Sequence, residues 1–421
     1  MFGPYLKVLR LPGAARFSAA GLLARMQMSM IGVGAVLLIS AVRDSYGLAG
    51  AVSASYAVAG AVISPQISRF IDAHGQRKVV PIQLGVHVPA LAAMILIGVS
   101  TPMNWPILAL AMVAGATQPN VGPLVRARWS AMLSGTPQLR TAFAWESLID
   151  EVVFIFGPVL ATFLALQLFP AAALIAATTF LTVGALFLIR QTMTEPPASG
   201  RLRGSGGRPA IFLPGVGGIV AIFVLLGGVF GSLEVATLAA TQAAGHAGSA
   251  GLLLALYSLG SLLSGLVFGA LNVRASLLRQ FVGAITALAL VSMPLVFLGS
   301  LWQLAIGLFV AGLAVAPALI SGMSLTERIV PAARLTESMG WVGSGIALGL
   351  AVSMPAAGYL SDNYPPRYAY LVLSGCAVMG FLVALTVLRG LRRAQAAVSV
   401  AQRDAIDESL PRNAGRSRVS R

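Results

Sequence analysis

The sequence predicts an all-α polytopic membrane protein with twelve transmembrane helices in two pseudo-symmetric six-helix bundles. Three observations carry that expectation. Of 421 residues, 57% are hydrophobic and only 10% are charged, with a mean hydropathy of +0.86. A soluble domain is about 45–50% apolar and about 25% charged. Apolar runs of about 20 residues, enough to cross the hydrocarbon core, recur twelve times. Lysine and arginine gather on alternate connections between those runs.

Helix one, about 17–42, is too long for a signal-peptide core of roughly 7–15 residues and is expected to be a retained span. Helix two, about 46–70, starts after Arg43 and Asp44 and closes at Arg69. Helix three, about 79–99, opens after Arg77 and Lys78. Helix four, about 105–127, runs from Trp105 to the pair Arg126 and Arg128. Helices five and six, about 141–167 and 170–190, form a tight hairpin between Arg140 and Arg190. A stretch rich in Gly, Pro, Ser and Arg, about 191–213, reads as a linker. Helix seven, about 214–238, and helix eight, about 248–271, follow it. Helices nine and ten, about 280–299 and 302–326, form a second tight hairpin. Helices eleven and twelve, about 335–360 and 368–390, complete the set.

Twenty Lys and Arg residues near the membrane fall on the side that holds both termini, against Arg43 and Arg367 on the other. The positive-inside rule therefore predicts a multi-pass protein of the inner (cytoplasmic) membrane with N- and C-termini cytoplasmic. The expected units are an N-terminal bundle at 1–190, a cytoplasmic linker at 191–213, a C-terminal bundle at 214–390 and a basic, disordered tail at 391–421. Weak internal matches support duplication: Tyr56 meets Tyr257 at an offset of 201 residues, and Pro119 and Pro317 take similar places in helices four and ten. Gly227/Gly231, Gly265/Gly269 and Gly345/Gly349 have the small-xxx-small spacing that permits close helix contact.

The connection "SRFIDAHGQRK", residues 68–78, follows helix two. It resembles the loop signature of the major facilitator superfamily, G-x-L-a-D-r-x-G-r-r/k: Asp72, Gly75, Arg77 and Lys78 match, whereas Ser68, Phe70, Ala73 and Gln76 depart. The resemblance implies that Asp72, Gly75, Arg77 and Lys78 act as a conformational latch holding the outward-open state. The plain alternative is that Arg77 and Lys78 only obey the positive-inside rule. In helix five, "EVVFIFGPVLAT" resembles the G-x-x-x-G-P-x-x-G-G element of superfamily antiporters through Gly157 and Pro158, with Val153, Ala161 and Thr162 in place of glycines. That implies a packing element and proton-coupled efflux. The whole pattern resembles the twelve-helix drug/proton antiporter-type exporters of actinobacteria.

An ionised side chain at mid-helix costs about 2.5–3.5 kcal/mol on insertion scales, so those present call for a role. Arg25 lies in helix one, and Glu146, Asp150 and Glu151 lie in helix five at similar depth. Glu146 and Asp150 share a face at i,i+4, and Glu151 points about 100° away from Asp150. Three close carboxylates need arginine partners, such as Arg25 or Arg126, or a raised pKa. One reading is proton coupling with Glu151 or Asp150 as carrier and Arg25 setting its pKa or binding substrate; the other is an ion cluster tying helices one, four and five together. Glu234 in helix seven either lines the substrate path or reaches the outer interface. His87, Gln27 and Asn120 are expected to supply polar contacts within the bundle or to substrate.

Several functions are excluded or unsupported. The net charge of +15 is placed by the bilayer rather than by nucleic acid, and a lone cysteine, Cys376, forms no intrachain disulfide. No G-x-x-x-x-G-K-[ST] phosphate loop and no His/Cys metal cluster occurs, so no cofactor is expected and the chain is not expected to be an enzyme. The expectation is a monomeric secondary transporter working by alternating access, exporting small amphiphilic or drug-like molecules in exchange for protons. The alternatives are a transporter of one specific metabolite, and a polytopic membrane sensor or enzyme without transport.

Overall fold

A computed structural model describes residues 3–133, 136, 138–198, 210–270, 275–330 and 335–409. Arg201, Arg203, Arg208, Arg274 and Arg334, counted in the charge pattern above, lie outside the described residues. Fifteen α-helices and no strand occur among the described residues. The first half contains α1 (Gly3–Leu9), α2 (Ala14–Arg43), α3 (Tyr46–His74), α4 (Gln76–Ser100), α5 (Trp105–Thr117), α6 (Val121–Leu133), α7 (Gln138–Gln167) and α8 (Ala172–Arg190). The second contains α9 (Val216–Ala243), α10 (Ala250–Ala270), α11 (Leu277–Ser292), α12 (Leu301–Leu313), α13 (Val315–Ile329), α14 (Leu335–Asn363) and α15 (Tyr370–Ser409). Joined, they make twelve segments long and apolar enough to span a bilayer, each overlapping one expected helix.

Two spans are broken, and proline explains both. Pro119 has no N–H for the carbonyl of Gly115, and it holds Gln118 extended at ψ 126°, so α5 stops and α6 restarts. Pro317 cannot donate to Leu313, where α12 stops one residue before α13 begins. The same two spans share a second feature. A Cβ on Gly115 would collide with the backbone of Tyr56, and a Cβ on Gly312 would collide with the backbone of Tyr257. The tyrosines paired by the sequence offset thus meet equivalent helices in the two bundles.

Small residues also set the α9–α14 seam. Gly227 lies against the Ile346 backbone, Gly345 against Val220 and Gly349 against the Val224 backbone, so two of the three glycine pairs mate with one another. Between bundles, Gly358 of α14 abuts the Tyr46 backbone at the start of α3, and Gly251 of α10 abuts Pro158 and Val159 of α7. Both contacts lie toward the end remote from the termini.

Past the expected end of helix twelve at about 390, α15 continues to Ser409. The segment "LRRAQAAVSVAQRDAIDES" is rich in Ala, Arg and Gln, which extend an already nucleated helix at little cost. Residues 410–421 lie outside the described residues.

Candidate functional site

Four charges meet at the arginine-rich end of the first bundle. Arg25, on the buried face of α2, has a side chain 2% exposed and forms an ion pair with the fully buried Glu146 of α7. Its other nitrogen donates to Asp150 Oδ1 at 2.8 Å, and Nε donates to the Gly21 carbonyl at 3.0 Å. Arg126 of α6 donates to Asp150 Oδ2 at 2.7 Å. The second Glu146 oxygen accepts from Ser18 Oγ at 2.9 Å and Trp129 Nε1 at 2.8 Å. Trp145 Nε1 in turn donates to Ser18 Oγ at 2.9 Å. Every carboxylate oxygen of the pair is therefore held, and two guanidiniums balance two carboxylates. The i,i+4 spacing of Glu146 and Asp150 points both at α2. Removing one partner of such a cluster leaves an uncompensated buried charge, which costs far more than the intact arrangement.

Glu151 stands outside it. Half-buried, it has no ion pair or hydrogen bond among the described residues. At 100° per residue it shares a face of α7 with Pro158 and Thr162, about two and three turns further on. That face packs on Gly251 of the second bundle, so Glu151 belongs to the side of α7 that looks toward the other half. Glu234 of α9 is the counterpart from the second bundle. Its carboxylate reaches Gly32 of α2, where any Cβ would overlap it, and its Oε1 is buried without a partner.

Gly157 and Pro158 sit where α7 touches both bundles. Gly157 faces Ser29 of α2 so closely that a Cβ would overlap the hydroxyl, which donates to the Val153 carbonyl at 2.8 Å. Pro158 offers its carbonyl side to Gly251.

The 68–78 connection turns at Gly75, whose φ of +93° is rare for any residue with a side chain. Asp72 is exposed and meets no cation among the described residues. Desolvation moves its carboxyl above the ordinary aspartate value, the reverse of what a facing arginine would do. The start of α4 is capped from elsewhere: Arg77 N–H donates to Glu195 Oε1 at 2.9 Å. The side chains of Arg77 and Lys78 are exposed.

Three groups escaped the sequence reading. Asp362, at the end of α14, accepts from Tyr46 N–H and Gly47 N–H at 2.7 Å each and from Ser45 Oγ at 3.0 Å. It thereby caps α3 from the opposite bundle, at the end remote from the termini. Ser45 is the N-cap of α3, and its carboxylate partner lies 317 residues away in the chain. Arg128, fully buried, donates to Gln76 Oε1 at 2.8 Å and to the Gln191 carbonyl and Thr194 Oγ1 at 2.7 Å each. It pins the first residues after α8 beneath the charged connection. Tyr56 completes a buried trio with Gln27 and His87: His87 Nδ1 meets the Ala114 carbonyl at 2.8 Å, so that nitrogen carries the proton, and Gln27 Nε2 lies 2.9 Å from His87 Nε2 and 3.2 Å from Tyr56 Oη. Asn120 Nδ2 donates to Ser64 Oγ at 3.4 Å. Among the described residues no cluster of His, Cys, Asp or Glu could hold a metal.

Comparison with known proteins follows the same lines. The profile of the Major Facilitator Superfamily matches residues 17–242 and 219–414. No curated protein sequence matches the chain. Among solved structures it is similar to the POT family transporter PepTSo, with a TM-score of 0.68 at 12% identity over 90% of this chain and 98% of that one. It is similar to a bacterial homologue of the iron transporter ferroportin in its inward-facing state, with a TM-score of 0.66 at 14% identity over 89% and 98%. The nucleoside transporter NupG aligns with a TM-score of 0.66 at 12% identity over 89% and 98%. At such identities the likeness is one of fold.

Proposed function

The chain belongs to the major facilitator superfamily, and from that membership we propose a secondary transporter that exports small amphiphilic or drug-like molecules in exchange for protons. Its two bundles rock about a central site, with the arginine-rich side and both termini in the cytoplasm. The observation that supports proton coupling is the charge balance. Arg25, Arg126, Glu146 and Asp150 neutralise one another, which leaves Glu151 and Glu234 without an ion pair among the described residues, on faces turned toward the opposite bundle. An acid at a moving interface can exchange its proton as the neighbouring bundle swings; an acid locked between arginines cannot. Asp150, an equal candidate from spacing alone, therefore takes the structural role with Glu146, and Arg25 is its partner rather than a substrate ligand.

The test is substrate-driven pH change in reconstituted vesicles across a panel of compounds. Glu151→Gln and Glu234→Gln are expected to abolish proton movement while the protein still binds substrate. Wild-type coupling in both variants overturns the assignment. Competition between an amphiphilic dye and polar metabolites separates broad export from transport of a single metabolite.

A further inference from the structure

Where the third span begins and the sixth ends, the structure leaves a pocket of about 270 Å³ lined by Arg77, Pro81, Ile189, Arg190 and Thr192. We propose that this pocket binds the phosphate of an anionic phospholipid, with the acyl chains lying along the exposed apolar faces of α4 and α8.

The pocket lies at the level of the membrane boundary, because Arg190 is the last residue of one span and Pro81 lies one turn inside another. Both guanidiniums are exposed and have no side-chain hydrogen bond or ion pair among the described residues. Lys78 and the buried Arg128 add positive charge nearby. The acid in reach, Glu195, has an oxygen committed to the Arg77 N–H. The local balance is therefore cationic, and two planar guanidiniums suit a phosphate's oxygens better than ammonium groups would.

The pocket is also held in shape. Arg128 fixes the Gln191 carbonyl and Thr194 on either side of Thr192, and Glu195 fixes the Arg77 backbone, so the two arginines are presented from anchored segments. Below the charged rim the chemistry changes sign. Ile82 and Val86 on α4, and Val183 and Phe187 on α8, are large apolar residues left exposed within the spans. A free anion would use only the rim; a phospholipid uses rim and wall together. Basic pockets at helix ends on the cytoplasmic face are the ordinary place for anionic headgroups.

The test uses the purified full-length protein in neutral detergent, with phosphatidylglycerol, phosphatidylcholine and inorganic phosphate as separate probes. Native mass spectrometry reads retained lipid, and a thermal shift reads stabilisation. Phosphatidylglycerol is expected to be retained and to raise Tm, whereas phosphatidylcholine and millimolar phosphate do neither. The Arg77→Gln/Arg190→Gln double variant should bind phosphatidylglycerol roughly thirtyfold more weakly, from the contribution of two basic residues at a membrane surface. Arg69→Gln, an exposed arginine on the same side but outside the pocket, should leave binding unchanged. If the double variant fails to fold, Arg77→Lys/Arg190→Lys decides, with a smaller but clear weakening expected. Equal retention of phosphatidylcholine, stabilisation by inorganic phosphate alone, or undiminished binding in the arginine variants overturns the proposal.

Discussion

At the scale of single residues, the three acids of α7 separate into two kinds. Glu146 and Asp150 are both paired with arginine, and removing one leaves two guanidiniums sharing a single carboxylate. Glu146→Gln is therefore expected to cost about 3–5 kcal/mol and to lower the thermal midpoint in detergent markedly. Glu151→Gln removes a charge that has no partner, so its midpoint should stay near that of the unmodified protein while proton coupling is lost. A Glu151→Gln variant as unstable as Glu146→Gln would mean that Glu151 has a structural partner after all. The sequence showed three carboxylates at one depth and named Arg25 and Arg126 as candidate partners. It did not show which acid would be left over. That depends on α2 and α6 converging on one face of α7 from more than a turn of chain away, and helix rotation is not written in local spacing. Asp362 is the sharper case. An acid after a long apolar run reads as an ordinary interfacial charge, and its role appears only when α3 is placed beside it.

At the scale of elements, α14 meets α3 across the two bundles through close backbone packing and one carboxylate, and the proposed alternating access would make this contact a gate. Asp362 supplies three acceptor contacts to the first turn of α3, where N–H groups lack helical partners and the helix dipole favours a negative charge. Asp362→Asn keeps the shape but weakens the bonds to Tyr46 and Gly47. It is expected to shift the conformational balance roughly threefold to tenfold toward opening at that end. Thr162→Cys, in a background with Cys376→Ser, is a suitable reporter because that position is sealed beneath Gly251. Its modification by an impermeant maleimide should speed up when Asp362→Asn is added, and an unchanged rate would remove Asp362 from the gate. The α9–α14 seam behaves differently, as it holds within one bundle throughout any rocking. Gly349→Val would drive a side chain into the Val224 carbonyl. Overpacking of about 1–3 kcal/mol or more is expected, seen as lost yield and a lowered midpoint rather than altered gating. The glycine spacing on both helices could be read in advance; that they were each other's partners could not.

At the scale of the whole molecule, the two bundles share one plan but not one charge pattern. Tyr56 against Gly115 repeats as Tyr257 against Gly312, yet Arg25, Arg126, Glu146 and Asp150 all belong to the first bundle. The arginine-rich end is tied internally within the first bundle, so any latch between bundles there must come from other groups, Asp72 among them. At the opposite end the bundles already touch through Asp362, Gly358 and Gly251. The functional meaning of this arrangement depends on which end faces the cytoplasm. Twenty basic residues against two favour the end with the termini strongly enough that neither span count nor loop length needs to assist. A fluorescent protein fused after Ser409 should therefore mature and glow in cells, and alkaline phosphatase inserted after Gly245 should be active outside. With that orientation the Asp362 contact holds the bundles together on the outer side, and under the proposed export a substrate arriving from the cytoplasm would meet Glu151 and Glu234 before that contact parts. The reverse pattern of reporters would place the same closed gate on the inside, and the same two acids would then be met first by a substrate entering from outside.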